Sequence, residues 1–213
     1  ALEQGRSLAA AFNSTFLQLN NLKTATTSQM QDAIEGINLL TKELTSVNDR
    51  ILSAGQSGKS PNSFLDLRDR LVQDISALAD VSVSYTDRGV ANLTIGLSGA
   101  GPSLVEGTNR TPLGFIERYD RIGGLQVVLN PLSSHTPTSQ LSGGIIAGLS
   151  EVYGAIDDVV NQMNQLAVQI TTDLNAQHHR GVTMDGLRGL DMFSAVNVVA
   201  ETNPSNPVEV EAE

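Results

Sequence analysis

Cysteine and tryptophan are absent from this 213-residue chain, and five Phe and three Tyr supply all its aromatic rings. Without thiols there is no disulfide framework, no zinc site built on thiolates and no cysteine nucleophile. Charge is scarce too: 17% of residues are charged, against about 25% in an average globular chain. What charge there is runs negative, −10 net, with the 13 Lys and Arg scattered along the chain. A nucleic-acid binder needs a basic stripe to neutralise phosphates, and an anionic membrane surface asks for the same, so both partners are set aside. No run of about 18 apolar residues occurs, which excludes a membrane-spanning helix. The chain has neither an initiating Met nor a cleavable leader pattern and opens straight into helical periodicity, so upstream residues are expected to have been removed.

Ser, Thr, Asn, Gln, Ala and Gly fill the space that charge leaves. Such a surface is polar without strong repulsion and suits a protein that packs against many neighbours. The clearest pattern lies in the first 54 residues. Leu2, Ala9, Phe12, Phe16, Leu19, Met30, Ala33, Ile37, Leu40, Leu44, Val47 and Ile51 follow a seven-residue repeat, with Gly5, Lys23 and Thr26 weakening it locally. A strict a/d spacing predicts one narrow apolar stripe, the seam of a coiled coil or long bundle. At roughly 1.5 Å per residue this helix would span about 80 Å. A break around Gly55, Gly58 and Pro61 separates it from a shorter helix over 63–79, whose apolar face is Phe64, Leu67, Leu71, Ile75 and Leu78. Ser63 and Asp66 stand in capping-box spacing, and Asp66 and Arg70 are placed for an i,i+4 pair.

The period then changes to two. Val81, Val83 and Tyr85 alternate with small polar residues, 86–89 reads as a turn, and 90–95 as a second strand. Further strands are predicted near 103–105, 113–116 and 125–129, and a polar loop over 131–142. A second long helix is predicted over 144–178, striped by Ile146, Leu149, Tyr153, Ile156, Val160, Met163, Ala167, Ile170 and Leu174, with Gly181 as its C′ stop. The stretch 194–213 mixes Val with Asn, Pro and Glu and reads as a linker or the first strand of a further domain.

Candidate chemistry is thin. His178 and His179 are adjacent, so on a helix they point to different sides, whereas a helical metal pair wants i,i+4 spacing. In a last turn they favour the negative end of the helix dipole, and a cap is the better reading. His135 stands alone in a Thr/Pro loop and reads as solvated. Asp185-Gly186 with Asp191 lacks the ligand spacing of a calcium loop and reads as a tight turn. Gly96, Gly99 and Gly101 precede no helix, so a phosphate cradle fails for want of context. No catalytic, cofactor-binding or metal-ligating set emerges, and no cofactor is expected. The rivals are an enzyme using His178 or His179 with Asp191, and a helical ligand-binding or adhesin ectodomain, which would need convergent polar groups between its helices.

Three segments carry a resemblance. The first runs from Ala9-Ala10-Ala11-Phe12-Asn13-Ser14 to Leu44-Thr45-Ser46-Val47-Asn48; the second is Phe64-Leu65-Asp66-Leu67-Arg68-Asp69-Arg70-Leu71 leading into Leu78-Ala79-Asp80-Val81-Ser82-Val83. The third joins Leu141-Ser142-Gly143-Gly144 and Gly148-Leu149 to Leu166-Ala167, Leu174-Asn175-Ala176-Gln177-His178 and a turn over 181–193. In that order they resemble the bacterial flagellar hook-associated protein 1 family, the hook–filament junction proteins. The resemblance implies a structural subunit of the flagellum, exported through the flagellar secretion channel and assembled outside the cell. The implied partners are other copies in a ring, hook protein and the second junction protein. It also implies terminal assembly helices that this chain lacks, so the chain alone is expected to be monomeric.

The expected fold is α+β: an elongated bundle of two long heptad helices and one shorter helix with a small antiparallel β region inserted. Its expected divisions are 1–80, 81–142, 143–193 and 194–213. The helix-packing seam is expected from Phe12, Phe16, Leu19, Ile37, Leu40, Leu44, Val47 and Ile51 on one helix. Ile146, Leu149, Tyr153, Ile156, Val160, Met163, Ile170 and Leu174 would face them from the other.

Overall fold

The computed structural model describes residues 2–57, 60–118, 124–132, 136–137, 141–182 and 184–194. The chain forms α1 (Leu2–Gln56), α2 (Asn62–Leu78) and α3 (Gly144–His179). Between α2 and α3 lie β1 (Val81–Tyr85), β2 (Ala91–Ile95), β3 (Ser103–Glu106), β4 (Asn109–Arg110), β5 (Leu113–Arg118), β6 (Gly124–Leu129) and β7 (Thr136–Pro137). All strand pairs are antiparallel, in one sheet of order β1-β2-β3-β4 and another of order β5-β6-β7. This is an α+β fold. His135 and residues 195–213, for which a loop and a linker or strand were expected, lie outside the described residues.

The first proline is Pro61, so nothing interrupts α1 until Gly55 and the break that follows. α2 starts one residue earlier than expected, with Pro61 at its N-cap and no side-chain cap. The capping box of Ser63 and Asp66 does not form, because the helix begins at Asn62 and Ser63 already lies inside its first turn; the Pro61 carbonyl accepts from the amides of Phe64 and Leu65 at 2.8 and 3.0 Å. Asp66 and Arg70 make no ion pair either. The basic side chain that α2 employs is Arg68, which holds Asp69 at 2.6 Å, lies 4.4 Å over the Tyr85 ring and donates to the Gly89 carbonyl. Gly89 has a φ of +80° in the β1–β2 turn, a conformation that favours glycine. β4 and β7 were not anticipated, since two residues are too few to show a period, and β7 interrupts the expected polar loop. Gly181 follows α3 but does not take a left-handed φ; its amide bonds the His178 carbonyl at 3.0 Å, a tightened last turn in place of the αL stop.

The chain divides into two compact units. The larger takes Thr26–Arg118 and Gly124–Tyr153; the other takes α1 up to Ala25 and the chain from Gly154 on. In the larger unit Met30, Ile37, Leu44 and Ile51 are buried at every seventh position of α1. They join Leu71 and Ile75 of α2, Leu93 and Ile95 of β2, Leu104 and Val105 of β3, Leu113 of β5, Val127 of β6, and Ile146 and Tyr153 of α3 in one core. Each such side chain contributes about 1.5–3 kcal/mol relative to exposure.

The buried face of α1 is wider than the narrow seam predicted from spacing. Ile34, Thr41 and Asn48, again seven apart, are buried beside it, while Leu40 is only half-buried. The reason is tertiary: two sheets and two helices surround this stretch, whereas a single partner helix covers only a and d positions.

In the smaller unit the core is slight. Ala9, Ala167 and Phe193 are buried, with Phe12 and Met192 packed partly against them. α1 and α3 run antiparallel here, since Ala9 meets the level of Ala167 while Lys23 reaches Asp157 further up. The three heptad positions that look weak each have a use. Gly5 leaves room for Phe193, whose ring carbon would lie 3.3 Å from a Cβ; Lys23 bonds Asp157 at 2.6 Å; and Thr26, in the larger unit, is buried.

Candidate functional site

The described side chains build a scaffold that grips its own backbone, with asparagines as the grips. Asn48 is fully buried on α1; its Oδ1 accepts from the Ala91 amide at 3.1 Å while its Nδ2 donates to the Ala91 and Gly107 carbonyls at 2.9 and 2.7 Å. Asn38 repeats the device on β5, accepting from the Leu113 amide at 2.9 Å and donating to the Leu113 carbonyl at 2.8 Å. In both, one carboxamide offers a strand the donor and acceptor that a neighbouring strand would offer. At β5, an edge strand, the helix thus stands in for a neighbouring strand; at Ala91 it serves the first residue of β2, whose register with β3 begins only at Leu93. Asn175 on α3 does the same for the segment after the helix, accepting from the amides of Met192 and Phe193 at 2.8 and 2.9 Å and donating to the Phe193 carbonyl at 2.7 Å.

That segment folds back on the end of α3. The Gly189 amide bonds the Gly181 carbonyl at 3.1 Å, Val182 and Arg188 form an antiparallel bridge, and Gly186 turns with a φ of +78°. His178 Nδ1 lies 2.5 Å from the Leu190 carbonyl oxygen, which can only accept, so Nδ1 carries the proton. His179 Nε2 lies 2.6 Å from Asp191 Oδ1. The pair of histidines therefore reaches forward to hold the returning chain, beyond the capping role expected of them. A Cβ at Gly189 would collide with the His178 carbonyl, so only glycine fits this close return. Phe193 ends the fold-back in the small core.

Two of the segments that carry the sequence resemblance meet in space. Ser142 donates to Asp80 Oδ2 at 2.8 Å, and a Cβ on Gly144 would lie 2.7 Å from the Ala79 backbone. Gly143 and Gly144 let α3 begin against the α2–β1 junction.

Of the expected seam residues, Ile37, Leu44, Val47, Ile51, Ile146, Tyr153 and Ile156 are buried. Leu40, Leu149, Phe12, Phe16, Leu19, Val160, Met163 and Ile170 are half-buried. Leu174 is 38% exposed, because Asn175 beside it, and not Leu174, faces the returning segment. Asp157 is buried with its Oδ2 lacking a hydrogen-bond partner, while its Oδ1 takes Lys23. His179 and Asp191 are each more than half exposed. Among the described residues, no three His, Asp or Glu are grouped to hold a metal, and no helix is long and apolar enough to cross a membrane.

The asparagines were not anticipated. Each directly follows an apolar stripe residue (Ile37, Val47, Leu174), and a poor helix former in mid-helix is a usable signal.

Helices that bind their own strands and loops by side-chain amides, with polar weakly charged outer faces, define a structural scaffold module. The chain belongs to the family described as the flagellar hook-associated protein FlgK helical domain, which it matches over residues 1–193. It is 27% identical over 220 residues to flagellar hook-associated protein 1 of Salmonella typhimurium, covering 95% of this chain and 37% of that protein. Flagellar hook-associated protein 1 of Escherichia coli is 29% identical over 184 residues, covering 84% of this chain and 33% of that one. The solved structure of the flagellar hook junction protein FlgK from Burkholderia pseudomallei superposes with a TM-score of 0.77 at 26% identity, over 92% of this chain and 36% of that chain. The chain thus spans roughly a third of the length of these relatives. The family is one of structural flagellar proteins.

Proposed function

We propose that this chain is the helical part of a structural subunit of the bacterial flagellum, an adaptor at the junction of hook and filament. It acts by packing, without turnover, after export through the flagellar channel to the outside of the cell. Its partners are other copies of itself, hook protein and a second junction protein. The heptad stripes hold the subunit together, and the polar, weakly charged faces meet neighbours. The observation that carries this reading is the family match along 193 residues, in a chain whose Asn38, Asn48 and Asn175 are spent on its own backbone. Deleting the gene should leave cells with hooks but without attached filaments, with filament subunits lost to the medium and filaments restored by the intact gene. Normal filaments on the deletion strain would overturn the reading. Alone and at micromolar concentration the chain should be a monomer, which light scattering checks.

A further inference from the structure

The smaller unit is built inside out at one place. The fold-back after α3 is tied down by polar bonds from His178, His179, Asn175 and Gly189 and by Phe193 in the small core, yet four of its apolar side chains are exposed. Val182 is 68% exposed, Leu187 68%, Leu190 79% and Met184 wholly exposed. Four apolar side chains on a clamped turn are a presented surface, since a turn that merely joined two elements would place polar residues there.

Charge says what the surface fits. The turn carries Arg180 and Arg188 against a single acid, Asp185, all three exposed and without an ion-pair partner among the described residues, so it is locally cationic in a chain of net charge −10. α3 holds Glu151, Asp157, Asp158 and Asp173 and no Lys or Arg. Asp157 alone of these is paired, with Lys23. Between Asp158 and Asp173 the same helix exposes Val159 by 43% and Leu166 by 50%. One unit therefore displays an apolar turn with unpaired cations and an apolar helix face with unpaired acids.

We infer that these two surfaces dock on each other between copies: the 180–190 turn of one chain on the Val159–Leu166 face of α3 in the next. This rests on the reading that copies pack together, and it names the surfaces. The contact joins two different patches, so it is heterologous, and repetition generates a ring or a helical array instead of a closed pair. Few side chains take part, so a single contact is weak and holds only when neighbours raise the effective concentration.

The absence of cysteine makes the test clean. Met184→Cys chains mixed with Leu166→Cys chains under mild oxidation should give a mixed disulfide dimer. The yield should exceed by about ten-fold that of Met184→Cys mixed with Leu97→Cys, since docking raises the local thiol concentration. Leu97 is more open than Leu166, at 73% exposed, but lies in the other unit, so accessibility alone would favour the control. Arg188→Glu, or Arg180→Glu as a second variant, should bring the yield down to that of the control, and Asp173→Arg in the partner should restore it. All sites are exposed, and unchanged helicity and melting confirm folding. Equal yields for both pairings, or yields indifferent to the charge changes, would overturn the inference. If the cross-link fails while the deletion strain lacks filaments, this docking is wrong and the junction role stands. If it forms while deletion leaves filaments intact, the junction role is wrong and the docking stands.

Discussion

The two compact units use the same helices in different ways. In the larger, α1 is surrounded, and its buried face widens until Thr41 and Asn48 are fully enclosed among Ile37, Leu44 and Ile51. In the smaller, α1 buries little beyond Gly5 and Ala9, and the expected seam residues Phe12, Phe16 and Leu19 are only half covered. Apolar burial organises the first; hydrogen bonds and an ion pair organise much of the second. A repeat that looks uniform in sequence thus supports one region with a full core and another with a thin one. Thin cores open locally at lower free energy, and they leave apolar side chains available to neighbours.

The sharpest way to break this contrast is to place the same charge in both regions. Ile37→Asp enters a site with no exposure and should cost more than about 4 kcal/mol, enough to unfold a marginal domain. Phe12→Asp, in the half-covered stretch, should cost about 1–2 kcal/mol and leave hydrogen-exchange protection of β2 and β5 intact. Thermal melts that fall equally would erase the distinction.

The asparagine clamps sharpen it further. Asn48→Ala strands the Ala91 amide and carbonyl and the Gly107 carbonyl, two of the three bonds being part of a buried set, and should cost about 2–4 kcal/mol in denaturant titration. Asn175→Ala removes as many bonds in a more open place, so about 1–2 kcal/mol is expected. Its signature is local: the amides of Met192 and Phe193 should lose exchange protection while the larger unit keeps its own. Protection unchanged at those two amides would show that Asn175 does not hold the fold-back.

The smallest effect belongs to the histidines. His178→Ala with His179→Ala removes one bond to a carbonyl and one pair with Asp191 in which both partners are over half exposed. A loss of at most about 1 kcal/mol is expected, since exposed pairs are worth little. A melting drop far larger than this would mean that the latch supports the whole smaller unit.

Much of this was legible in the chain. A period of seven without proline defines α1, its return after Gly144 defines α3, and the change to a period of two after Asp80 marks the hairpin of β1 and β2. These signals are readable because helical and strand periods place neighbours in sequence on one face, a local matter of backbone geometry. The segments resembling the hook-associated family were legible because they are short local runs that follow one another in a fixed order along the chain. What the tertiary structure alone decided is the use of each polar position. Whether Asn48 is a solvated mid-helix residue or the partner of Ala91 depends on a strand 43 residues away. Whether His179 caps a helix or holds Asp191 depends on a chain that turns back 12 residues later. A hydrogen bond needs a donor and an acceptor at one point in space, and no periodicity in the sequence records which distant group will arrive there.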